Sequence, residues 1–117
     1  MAVELKGQNA VVTGAGRGIG RTIAVHLGAQ GMKVALTSRT ESDLLETADM
    51  VREKGGQSLV IPGDVTDRGN VKELAETAAR EMGDIDLLVN NAGRLSAMGP
   101  LWETDPEDWW LDVEVNL

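Results

Sequence analysis

The run Thr13-Gly14-Ala15-Gly16-Arg17-Gly18-Ile19-Gly20 follows an apolar segment, Gln8 to Thr13, and opens an amphipathic one. A strand, a glycine-rich turn and a helix in that order leave the chain few folds. The turn brings a helix start to the edge of a sheet, where unpaired backbone amides and the positive end of the helix dipole favour an anion. Gly14 frees the turn off the strand, Gly18 admits a pyrophosphate with no side chain in the way, and Gly20 lets the helix pack closely. The spacing is not the common dinucleotide fingerprint. Counted from Gly14, the sixth position is Ile19, and counted from Gly16 it is Arg21, so both registers fail. The pattern that fits is Thr-Gly-x-x-x-Gly-x-Gly on Thr13, Gly14, Gly18 and Gly20.

Beyond this turn, strand and helix patterns alternate. Lys33 to Ser38, Ser58 to Ile61 and Ile85 to Val89 read as the second, third and fourth strands. Helices are predicted over Gly18 to Gln30, Glu41 to Lys54 and Asp67 to Met82, ended by Gly31, Gly55-Gly56 and Gly83. Their inward faces are predicted as Ile19, Ile23 and Leu27, then Leu44, Ala48 and Val51, then Val71, Leu74, Ala75 and Ala78. Thr104-Asp105-Pro106-Glu107 reads as a capping box that starts a last helix. Such alternation implies right-handed crossovers and a parallel sheet.

Composition narrows the partners. A length of 117 residues suits a single domain over 1–117, and a net charge of -8 argues against nucleic acid or an anionic membrane. No apolar run spans a bilayer, and a polar N-terminus does not suit a signal peptide, so a cytoplasmic location is expected. The chain has no cysteine, and its lone His26 and scattered carboxylates show no metal-ligand spacing, so no metal is expected.

A second motif, Asn90-Asn91-Ala92-Gly93, ends the fourth strand; Gly63-Asp64-Val65 follows the third, and Val115-Asn116-Leu117 closes the chain. With the first turn, these closely resemble the short-chain dehydrogenase/reductase family, over about Lys6 to Leu117. The resemblance implies a Rossmann-like, doubly wound α/β fold with four parallel strands in the order 3-2-1-4, truncated before the catalytic half. It implies carbonyl reduction or alcohol oxidation by hydride transfer at a nicotinamide. Cofactor contacts are then expected from Gly14, Arg17, Gly18, Ile19, Gly20, Arg39, Asp64, Val65, Asn91, Ala92 and Gly93.

Each of these has a chemical reason. NAD-selective folds place a carboxylate after the second strand for the ribose 2′-hydroxyl. Here that stretch reads Thr37, Ser38, Arg39, with no acid before Glu41, and Arg17 lies in the phosphate turn. Two guanidinium groups suit a 2′-phosphate, so NADP is expected rather than NAD. Asp64 is placed to accept from the adenine amino group, with Val65 as an apolar wall, while Asp67 suits a helix cap. Asn91, Ala92 and Gly93 approach the nicotinamide ribose, and Asn90 in the family ties neighbouring strands.

Asn116 matches the family's helix asparagine, which orders a proton-relay water; without its catalytic partners it reads as a polar residue near a chain end. The chain contains no tyrosine, and the family's catalytic serine and Tyr-x-x-x-Lys pair match nothing in it. The expected function is therefore the cofactor-binding half of an NADP-dependent oxidoreductase, inactive by itself. The alternatives are a non-catalytic NADP-binding module or a fragment pairing with a separate C-terminal half. The fourth strand lacks a fifth beside it, and the last helix is apolar at Trp109, Trp110, Val113 and Leu117. A homo-oligomer joined through either is expected.

Overall fold

A computed structural model of the chain describes residues 4–117. Its elements are β1 (Asn9–Thr13), α1 (Gly18–Ala29), β2 (Lys33–Thr37), α2 (Glu41–Glu53), β3 (Gln57–Val60), α3 (Arg68–Met82), β4 (Leu87–Val89) and, after a short 3-10 turn at Leu101–Glu103, α4 (Pro106–Asn116). All strand pairings are parallel, in the order β3-β2-β1-β4, the order expected. Val11 stands between Ala35 of β2 and Leu88 of β4, which puts β1 in the middle of the sheet. No helix of the described residues is long and apolar enough to cross a membrane.

Parallel strands need cover on both faces, and the two faces differ here. On one, α1 and α2 bury Ala10, Val12, Val34, Leu36, Leu44 and Val51 completely. On the other, α3 packs Leu74, Ala78 and Met82 over Val11 and Ala35. This second face is thinly covered, and Leu88 stays 56% exposed.

Helix ends follow glycine chemistry. Gly31 has φ +83°, its amide bonds Gly28 O, and the amide of Met32 reaches back to Leu27 O at 3.3 Å. Gly55 and Gly56 close α2 in the same way on Arg52 O and Val51 O.

Several inward faces differ from expectation. In α1 the buried residues are Gly20, Ala24 and Gly28, whereas Ile19 is 73% exposed; Ile23 and Leu27 pack only at the margin. Close approach decides this, because a Cβ on Gly56 would lie 2.5 Å from Gly28 Cα, too near for a larger residue between. In α2 the expected Leu44, Ala48 and Val51 are buried, and Thr47 joins them. In α3 only Ala78 is fully buried; Val71 and Ala75 are exposed. β4 starts at Leu87, two residues later than expected. Asp86 is instead occupied with Asn9, accepting its amide at 2.8 Å on Oδ2.

The helix α4 departs furthest from expectation. Its N-cap is Asp105, which accepts from the amides of Glu107 at 2.8 Å and Asp108 at 3.4 Å, and Pro106 takes the first helical position. Thr104 instead donates to Leu101 O at 2.9 Å. No α4 residue is fully buried: Trp109 and Trp110 are 46% and 55% exposed, and Leu117 fully so. The contacts that hold α4 to the body run along Asp108, Asp112 and Asn116, a four-residue repeat and thus one helix face.

Candidate functional site

The carboxyl ends of the strands, the start of α1 and the segment after β4 enclose a cavity of about 410 Å³. Parallel folds bind ligands at this edge, where the strand order reverses. Here that point lies between β1 and β4.

The floor is built around Thr13. Its Oγ1 accepts from the amides of Asn91 at 3.0 Å and Ala92 at 2.9 Å. The Asn91 side-chain amide in turn donates to Thr13 O and Gly14 O, each at 3.2 Å. The strand-tying role expected of Asn90 therefore falls to Asn91, while Asn90 is exposed. Gly14 adopts φ +61°, and a Cβ there would stand 2.9 Å from Ala92 Cα. A Cβ on Gly20 would collide with the carbonyl oxygen of Gly14 and lie 2.5 Å from Asn91 Nδ2. Gly20 thus packs α1 against the turn itself. Gly18, at φ +58°, has open space where a side chain would be.

The α1 N-terminus is left open. Arg17 is its N-cap and makes no side-chain cap, and the amides of Gly16 to Gly20 have no backbone partner among the described residues. Helix starts normally find such partners, so unpaired amides at a cavity are fitted to an anion. Arg17 and Arg39 line the same cavity and are exposed; neither forms an ion pair with the described residues. The other arginines nearby are engaged. Arg21 pairs with Glu46 at 3.4 Å, and Arg94 with Asp108 at 3.1 Å and Asp112 at 3.2 Å.

Asp64 and Val65 line the far wall with Gly63. Asp64 Oδ1 accepts from both the amide and the hydroxyl of Thr66, at 2.9 and 2.7 Å. These two bonds hold its carboxyl below the usual range, with a smaller contribution from Arg39, so it stays charged in mild acid. Asp67, as expected, caps α3 through the amides of Gly69 and Asn70. Gly93, Arg94 and Val115 complete the lining.

Three expected residues lie outside it. Gly20 is behind the turn, Ile19 points to solvent, and Asn116 sits under the segment after Gly93. Asn116 is not a loose end, however. Its Oδ1 accepts from the Arg94 amide at 3.0 Å, and its Nδ2 donates to Arg94 O at 2.6 Å. Asp112 adds to this by accepting from the amides of Ser96 at 2.9 Å and Ala97 at 2.8 Å, bonds that depress its pKa. Sequence reasoning missed Asp112 and Arg94. The available signal was the carboxylate four residues before Asn116.

A family profile described as short chain dehydrogenase matches residues 8–117. A short chain dehydrogenase of Monascus ruber is 43% identical over 117 residues, covering 95% of this chain and 40% of that protein. A metagenomic short-chain oxidoreductase solved in complex with NADP superposes with a TM-score of 0.91 at 37% identity, covering 98% of this chain and 52% of the other. A short chain dehydrogenase/reductase from Burkholderia phymatum, solved with NAD, gives 0.92 at 38% identity, with 99% and 41% covered. The chain thus spans about half the length, or less, of the proteins it matches.

Proposed function

The chain belongs to the short-chain dehydrogenase/reductase family, and on that premise we propose that its cavity binds NADP(H) as the cofactor half of an oxidoreductase acting on a carbonyl or alcohol. One observation carries the choice of NADP: Arg17 and Arg39 line the cavity with their guanidinium groups unpaired, beside the open start of α1. The amides of Gly16 to Gly20 suit the diphosphate, the two arginines the 2′-phosphate, and Asp64 with Val65 the adenine. Gly93 and its neighbours face the nicotinamide end. The bound cofactor supplies the hydride, and the chain supplies its position.

Titration with NADPH and NADH, followed by nicotinamide fluorescence, tests the reading. NADPH is expected to bind more tightly, and equal binding would overturn the cofactor assignment. The relative solved with NAD favours the second reading, an NAD site in which Asp64 carries recognition alone.

These 117 residues contain no tyrosine to serve as proton donor, so they bind the cofactor without turnover. A positioned general acid contributes about 10²–10⁴-fold. NADPH consumption with a panel of ketones is expected to stay at the buffer rate. Enzymatic turnover by protein free of host reductases would refute this.

The unpaired edge of β4 and the exposed Leu88, Trp109 and Trp110 also favour self-association. Sedimentation at micromolar concentration is expected to show a dimer or larger assembly. A concentration-independent monomer would rule it out.

A further inference from the structure

A turn rich in glycine has little stiffness of its own, because glycine loses more conformational freedom on folding than any other residue. Something outside the turn has to aim its amides. Thr47, fully buried on α2, donates its hydroxyl to Ala15 O at 2.9 Å. Thr47 Oγ1 also accepts from Arg21 Nε at 2.9 Å, and Arg21 Nη2 donates to Gly16 O at 2.6 Å and to Asp43 O at 3.2 Å. The Ala15 carbonyl is thereby held by α2 and the Gly16 carbonyl by Arg21 of α1, whose guanidinium also reaches Asp43 O on α2. In a trans peptide the following N–H points opposite to the carbonyl. The amides of Gly16 and Arg17 are therefore turned away from Thr47 and Arg21, and neither has a backbone partner among the described residues.

We infer that Arg21 and Thr47 are positioning residues for the diphosphate: neither lines the cavity, and both act by fixing the direction of the turn's amides. The inference rests on the nucleotide-binding reading above and adds to it a device that spans α1 and α2. A hydroxyl buried among apolar side chains is kept by its hydrogen bonds; here two of the three lead to the turn and to the arginine that holds it, and the third, to Asp43 O at 3.1 Å, stays within α2. The pair exerts its effect at one part of the ligand only. A nucleotide that reaches the diphosphate position senses it; adenosine 2′-phosphate, which ends short of it, does not.

The test uses the whole chain and Thr47→Val, which keeps the volume and removes the hydroxyl. NADPH affinity is expected to fall about tenfold, roughly the worth of one well-placed hydrogen bond. Affinity for adenosine 2′-phosphate is expected to be unchanged, and Thr47→Ser to restore NADPH binding. Unaltered NADPH affinity, or equal losses for both ligands, would overturn the inference. If Thr47→Val does not fold, Arg21→Lys, which keeps the charge but not the fork of donors, is expected to give the same split. Backbone order parameters of the ligand-free chain separate this from the reading beneath it. Lower values at Gly16 and Arg17 in either variant support the clamp even if no nucleotide binds, and unchanged values refute it.

Discussion

Replacing Arg39 with Asp is expected to erase or reverse the proposed preference for NADPH over NADH. The guanidinium lines the cavity without an ion-pair partner, so its removal leaves no buried acid stranded. What changes is the partner offered to the ribose. The proposed bidentate arginine-phosphate contact would give way to a carboxylate that repels a 2′-phosphate and accepts from a 2′-hydroxyl. Charge-assisted bonds contribute about 1.5–3 kcal/mol each, so the ratio of the two affinities is expected to move about a hundredfold or more. Paired titrations of parent and variant read that ratio directly. A ratio that does not move would place the 2′-phosphate away from Arg39. The effect is expected to weaken with added salt, since the arginine is exposed.

The second large effect concerns folding. Gly20→Ala is expected to destabilise the chain by about 3 kcal/mol, near the upper end for overpacking by one methyl group. Backbone is what the new Cβ meets, namely Gly14 O, with Asn91 Nδ2 at 2.5 Å, and backbone cannot step aside as a flexible side chain can. The cost falls on the joint that fastens α1, β1 and the segment after β4. Gly18→Ala makes the control. Its Cβ enters open space, and the penalty is that of a left-handed backbone, about 1–2 kcal/mol. Urea denaturation of both variants checks the ordering. Equal midpoints would mean that the close packing at Gly20 is relieved by movement of the turn. Gly18→Ala is expected in addition to weaken NADPH binding, because its methyl group stands where the diphosphate would approach.

Strand order and the helix stops were legible because each rests on local chemistry. Alternation of strands and helices fixes a parallel sheet, and Gly31, Gly55 and Gly83 mark helix ends at the left-handed positions they occupy. Most of the cavity lining could also be read, since Gly14, Gly18, Asp64 and Gly93 are motif residues. What escaped depends on contacts between distant segments. Periodicity pointed Ile19 inward, but the approach of Gly28 to Gly56 leaves that face to glycine and alanine. No motif marks Thr47, whose role depends on Ala15 O and Arg21 lying beside it. Hydropathy marks the aromatic side of α4 as one to be covered, in the core or between copies of the chain, and among the described residues it stays exposed. The polar side makes the hydrogen bonds, because Arg94, Ser96 and Ala97 present it with donors.

That last arrangement divides the molecule into two regimes of persistence. The sheet with α1 and α2 is closed by apolar side chains, and parting them would expose hydrocarbon to water. Lifting α4 would part Asp112 from Arg94 and from the amides of Ser96 and Ala97, and would bare the half-buried Val113 and Val115, but no fully buried side chain. Openings of a native protein are graded by such differences. The wall beside Gly93 is therefore expected to open before the sheet with α1 and α2 does. A nucleotide entering here would be seized by its adenosine end while the wall at its other end is still moving.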